Sequence, residues 1–369
     1  MLILDSGDLL FKKFSNPLPA GRQAIQENGL KMMAEKAHLI IESFNMMGYD
    51  AVGIGDDDLN LGKDFLLELS KKSNFPFLSS NILDETSGKP LFQPYLIKTI
   101  NGLRIGIFSL FSPDNFVNQS DLRRKGLAFQ SHAESAQTMV KELQPKTDLI
   151  ILLSHLGYPK DIQLAQTVSG IHLIAGSHTG INLVHPPVLK NTLIIQTAPR
   201  GMYVGRLDLT LYNNASNFFN SIDKRSLENG LKNLKERITF AEVTEIERWF
   251  QHNFILYPRI SNTAQLYNIK FPENFAQNLK DLIASLKTQE AERAKSLRIK
   301  VKEEAEQIFR QLQDNNEFIN NILVLSEQIK DHPEISKMVE AYRSKFPEPE
   351  KAIPQKYEAP RPQGGAPQK

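Results

Sequence analysis

Apolar and polar positions change period along this chain, and the changes predict its elements. Leu2 to Leu4 is a short apolar run that reads as a strand. From Gly29 to Met47 the apolar positions Met32, Met33, Ala37, Ile40, Ile41 and Phe44 recur at helical spacing. Asp50 to Ile54 and Phe77 to Asn81 are strand candidates on either side of a helix at Leu61 to Lys72. Leu103 to Leu110 alternates as a strand, and His132 to Leu143 is helical. Asp148 to Leu153 and Ile171 to Ala175 are continuously apolar, which marks strands covered on both faces. Leu193 to Gln196 and Gly205 to Leu211 are expected to close the sheet. Strands alternating with helices predict a layered α/β domain over residues 1–212.

The pattern changes near Asn213. From Asp223 to about Phe346 it predicts helix, forming an α-helical extension (213–346). Leu279, Leu282, Leu286, Ala294, Leu297, Val301, Ile308 and Leu312 make one apolar stripe. Such a stripe docks on its own chain, folds back as a hairpin, or pairs with a protein partner as a coiled coil. Residues 347–369 are rich in proline and poor in apolar side chains, and are expected to be a disordered tail.

Composition narrows the function classes. The 369 residues carry 44 basic and 42 acidic side chains, a net charge of +2, so no global field draws the chain to nucleic acid. No basic run is interleaved with aromatics, so no nucleic-acid partner is expected. Cysteine is absent, which excludes disulfides, thiolate metal sites and cysteine nucleophiles. No apolar run approaches the roughly 18 residues of a transmembrane helix, and Asp5 interrupts any signal-peptide pattern after Leu4.

Four short motifs follow strand candidates: Asp5-Ser6-Gly7-Asp8, Gly53-Ile54-Gly55-Asp56-Asp57-Asp58, Ser154-His155-Leu156-Gly157 and Gly176-Ser177-His178-Thr179. The C-terminal edge of an open α/β sheet is where ligands gather. Asp8, Asp56, His155 and His178 are therefore expected to converge there. Two carboxylates and two imidazoles suit one divalent metal ion such as Zn, Mn, Fe or Ni. Three adjacent aspartates at 56–58 repel one another unless a cation or solvent relieves them. His172, at the start of a strand, is expected to be a packed histidine. Ser154 and Ser177 have no evident base, so neither is expected to be a nucleophile.

In their order these motifs resemble the calcineurin-like metallophosphoesterase superfamily, and within it the bacterial 5′-nucleotidase and UDP-sugar hydrolase group. That group carries an Asp-x-His strand end, then Asp-Ala-Gly-Asp, Gly-Asn-His-Glu, Ser-His-Leu-Gly and Gly-Gly-His-Thr-His. The flanking text Phe75 to Ile82 and Met202 to Thr210 agrees too. The resemblance implies an αββα sandwich, a metal-dependent phosphoesterase activity and a small phosphate ester or nucleotide as substrate. It also implies that Asp8, Asp56, His155 and His178 fill the family's second metal site, with Asp56 in place of an asparagine.

The departures bear on mechanism. No Asp-x-His precedes Asp8, and Gly180 stands where the last histidine would be, so only Asp8 remains of the first metal site. Asp57 occupies the place of the family's catalytic histidine, where an anion cannot steady developing phosphate charge. Activity is expected to be weak, altered or absent, and a catalytically impaired pseudoenzyme is the alternative. The sandwich is expected to lack its first strand. A start upstream of Met1 would restore that strand and could carry an export signal to the periplasm or cell envelope. No nucleobase-stacking domain of the family's kind is recognisable after Asn213.

Overall fold

The computed structural model describes residues 1–11, 23–199, 201–212, 217–256, 259–313, 315–326 and 328–347. The chain runs through β1 (Leu4–Asp5), α1 (Gln23–Met47), β2 (Ala51–Gly53), α2 (Lys63–Ser70), β3 (Phe77–Leu78), β4 (Ile82–Asp84), β5 (Tyr95–Ile100), β6 (Leu103–Phe111), β7 (Leu127–Phe129), α3 (His132–Leu143), β8 (Leu149–His155), α4 (Tyr158–Thr167), β9 (Leu173–Gly176), β10 (Val188–Leu189), β11 (Thr192–Ile195) and β12 (Tyr203–Thr210). It continues with β13 (Phe218–Asn220), α5 (Ser221–Phe240), α6 (Val243–Phe250), α7 (Arg259–Leu266), α8 (Phe275–Lys287), α9 (Ala291–Arg310), β14 (Asn316–Val324) and α10 (Pro333–Lys345).

Two sheets face each other. One is the parallel set β1-β2-β3, and the other has the order β10-β11-β9-β8-β6-β5. In β8 every residue is buried, as its continuous apolar run predicts. Its side chains alternate between two cores. Leu149, Ile151 and Leu153 meet Ala51 and Leu78 between the sheets, whereas Ile150 and Leu152 meet α3 and α4 through Met139, Leu143 and Leu164. On the far side of the first sheet, Ala37 and Ile41 of α1 and Leu66 and Leu69 of α2 pack with Val52 and Phe77. The layers are therefore α, β, β, α, the sandwich that the motifs imply. Strands β6, β8, β9 and β11 run parallel, so their C-terminal ends share one rim.

The extension departs from its expected pattern at one element. Residues 316–324 fall in the segment predicted helical, yet they form β14, antiparallel to β12 over eight residues and parallel to β13. Three asparagines in Asn316–Val324 give no strand signal, and pairing with β12 decides the conformation. Strand β12 thus belongs to a separate sheet, β12-β14-β13, and does not close the six-stranded one. Its inner residues Leu207 and Leu209, with Phe218 and Phe318, still complete the core between the sheets.

The apolar stripe is broken into α8 and α9 at Gln289, whose φ is +58°. The two helices fold back on each other, and Asn278 Nδ2 donates to Glu304 Oε1 across them at 2.6 Å. Leu279, Leu282, Ala294, Val301, Ile308 and Leu312 are buried against α5 and α6 through Leu231, Leu234, Ile246 and Trp249. This is the hairpin arrangement, and it leaves those positions no coiled-coil seam. Beyond Pro347 the expected tail lies outside the described residues. Among the described residues no helix is long and apolar enough to cross a membrane.

Candidate metal centre

Each proposed ligand stands just past a strand end. Asp8 follows β1, Asp56 follows β2, His155 ends β8 and His178 follows β9. The site therefore sits on the rim where the two sheets meet. Hydroxyl and imidazole groups staple that rim together. Ser6 Oγ donates to Ala175 O at 2.7 Å, and His155 Nδ1 lies 2.9 Å from Ser6 O. Ser177 Oγ lies 2.8 Å from each of Ser6 O, Ser154 O and His155 Nδ1, and braces the three loops; the sequence offered it no base, but the fold sets the His155 ring beside it. Gly7 lets the loops after β1 and β2 touch. Its φ is +99°, and a Cβ there would meet Gly55 N at 2.5 Å and Ile54 C at 2.8 Å.

All four predicted ligands come together. Each offers one donor atom, and these atoms lie within 4.8 Å of one another. His155 Nε2 is 3.2 Å from Asp56 Oδ1 and 3.3 Å from Asp8 Oδ2, and His178 Nδ1 is 3.4 Å from Asp56 Oδ1. Donors held about 2.0–2.2 Å from a central ion at tetrahedral angles stand roughly 3.3–3.6 Å apart. The residues present thus fit a single divalent ion. His155 is fully buried, with Nδ1 held 2.9 Å from the Ser6 carbonyl, so that Nε2 faces Asp8 and Asp56 in the cluster. His178 is exposed, with a side chain 32% accessible, and forms the open wall. Asp8 and His178 hold left-handed backbone at φ +62° and +70°, a conformation of the kind that concentrates at ligand sites.

Charge in the cluster calls for a cation. Burial resists charge on His155, yet its hydrogen bonds to Asp56 and Asp8 outweigh that and push it up to about 10. Burial acts to raise Asp56, but hydrogen bonds from His155 and His178 win and hold it well below the usual carboxylate range. The two groups thus trap a proton where a divalent ion would replace it.

The three consecutive aspartates divide the work. Asp56 is a ligand. Asp58, 3% exposed, clamps the two ligand loops: its Oδ2 accepts from Asp8 N and Gly55 N at 2.9 Å each, and its Oδ1 accepts from Leu10 N at 3.0 Å. Burial and the Asp8 charge push Asp58 up to about 7, against those three N–H groups. Asp57, at the place of the family's catalytic histidine, is not among the four converging donors. Its N–H donates to Asp8 Oδ1 at 2.8 Å, and its own Oδ1 accepts from Arg123 Nη1 at 2.9 Å.

Arg123 was not among the candidates, because it lies in Asp121-Leu122-Arg123-Arg124 with no strand end or glycine motif beside it. Asp58 carries a weak signal, as the third acid in a row. His172 is the packed histidine expected: its Nδ1 accepts from Ile150 N at 3.0 Å, and burial lowers its pKa. Asp161 was also unforeseen. It is fully buried in α4, accepts from Ser154 Oγ at 2.5 Å, and burial pushes it up to about 7.

No family model matches the chain. Curated proteins do. A 5′-nucleotidase of Vibrio cholerae is 30% identical over 207 residues, 48% of this chain and 37% of its own length. The trifunctional nucleotide phosphoesterase protein YfkN of Bacillus subtilis is 28% identical over 244 residues, 55% of this chain and 15% of its own. Protein UshA of Escherichia coli is 25% identical over 260 residues, 62% of this chain and 45% of its own. The chain thus spans less than half the length of each of these relatives. With the four-ligand cluster on the sandwich rim, these likenesses make the chain a divergent member of the calcineurin-like metallophosphoesterase superfamily, on the 5′-nucleotidase side of it.

Proposed function

We propose that this chain is a metal-dependent hydrolase of small phosphate esters, nucleotides among them, working with one divalent ion where its relatives' motifs provide for two. The carrying observation is the cage of Asp8, Asp56, His155 and His178 at spacings that suit a single ion. The nucleotidase names of the relatives support the substrate class.

A bound divalent ion would lower the pKa of a coordinated water and offset phosphate charge. The protein's own groups do the rest. Asp8 and Asp56 balance the ion's charge. The Ser6 carbonyl fixes the ring of His155, and Asn115 Nδ2 holds the His155 carbonyl at 2.8 Å. His178 stands at the mouth, where substrate enters. Asp57 is tied to Arg123, so that position supplies no imidazolium to the leaving oxygen. Esters whose leaving group departs without a proton should therefore react best.

The test is turnover of bis-p-nitrophenyl phosphate and 5′-AMP by protein loaded with Zn, Mn, Fe or Ni. The aryl ester should be preferred, and His178→Ala should lower its turnover by at least about tenfold with the fold intact. Absence of turnover with every metal would leave the impaired, metal-binding reading, which the acid at position 57 favours.

A further inference from the structure

Arg123 is a buried cation placed between two of the three aspartates, 4% exposed. Its Nη1 donates to Asp57 Oδ1 at 2.9 Å, Asp56 Oδ2 at 3.2 Å and Asn60 Oδ1 at 3.4 Å. Its Nη2 and Nε donate to Asp121 at 2.8 and 3.0 Å, and Phe116 covers the guanidinium at 5.2 Å. Asp56 is thereby divided. Its Oδ1 faces His155 and His178, while its Oδ2 is held by Arg123. Asp57 shares the same nitrogen, so its carboxylate lies beside that of a ligand and is turned away from the cluster.

We propose that Arg123 is a positioning residue that holds Asp57 out of the coordination shell and limits Asp56 to one oxygen, so that the cluster presents four donors. The inference rests on the metal-site reading above and deepens it. A carboxylate next to a ligand and lacking its own counter-charge would turn to the ion, because opposite charges attract strongly at short range in a buried site. Added carboxylate oxygens suit harder ions of higher coordination, such as Mn. The planar guanidinium can engage Asp121 on one side and Asp56 and Asp57 on the other at once. A lysine ammonium at the end of a flexible stem cannot reproduce that fork.

The test uses the full chain reconstituted with Co(II), whose visible absorption weakens as coordination rises above four. R123M should lose visible intensity relative to the wild type, and its preference for Mn over Zn should rise on the order of tenfold. The double variant R123M/D57N should recover the part of the wild-type intensity that Asp57 removes, while the freed Asp56 Oδ2 keeps the rest lowered; a merely structural loss would show no such recovery. An R123M spectrum matching the wild type, or no recovery in the double variant, overturns the proposal. Should circular dichroism show R123M unfolded, D57N alone carries the test. With Asp57 outside the shell its Co(II) spectrum must equal the wild type, and a changed spectrum overturns the proposal. A wild-type chain that takes up no cobalt sinks the metal-site reading along with this inference. Uptake with R123M unchanged sinks this inference alone.

Discussion

Asp58→Ala isolates the clamp from the chemistry. The side chain accepts three backbone N–H bonds, from Asp8, Leu10 and Gly55, and both it and Leu10 are buried. Each stranded N–H costs about 1–3 kcal/mol. Three losses, moderated by water entering the vacated space, give roughly 3–6 kcal/mol, a large share of a typical folding stability. Asp58→Asn should cost less, about 1–3 kcal/mol, because its oxygen still serves one side while its NH2 opposes an N–H donor on the other. Urea unfolding of all three proteins in chelator measures this without any contribution from bound metal. Calorimetric titration with Zn or Mn then reads the second consequence. Asp8 and Asp56 sit on the two loops that Asp58 ties together, so metal affinity should fall in the same order. A loss below about 1 kcal/mol for Asp58→Ala would refute the reasoning, since it would mean that the three donors find other partners.

The remaining predictions concern neighbours of the site. A Cβ at Gly55 would run into Asp8 Oδ1, Asp8 N and His155 Cε1, so Gly55→Ala should abolish tight metal binding by calorimetry while circular dichroism stays native. Burial raises Asp161 from 3.8 to about 7, so the folded chain holds a proton that the unfolded chain releases. Its contribution to stability should be full below about pH 4 and decline as pH rises through 7, and Asp161→Asn should flatten that slope in urea titrations. His172 shows the opposite sign. Its folded pKa is depressed by burial, so its contribution is present above 6.5 and is lost as pH falls through the folded value, a slope that His172→Gln should remove.

Much of the sandwich and all four metal donors are legible along the chain, because both signals are local. The unbroken apolar run of β8 and the stripe of α1 report which faces are covered. Parallel strands place their C-terminal ends on one rim, so an acid or histidine just after an apolar run is already positioned relative to the others. Asn101-Gly102, with φ +51° and +83°, is a hairpin turn, and that pair points to β5 although the alternation of Tyr95–Ile100 is weak. What the amino-acid order could not disclose are partnerships between distant segments. Strand β14 exists because β12 pairs with it about a hundred residues away, and its own asparagines favour no strand. Arg123 reaches Asp56 across 67 residues, and Asp58 reaches Asp8 across 50. Residue type and spacing determined which groups would meet a cation. Tertiary packing alone decided that one aspartate joins the four-donor cluster, the next is paired with arginine and the third clamps the loops, because counter-charge and backbone donors come from segments that no local pattern connects.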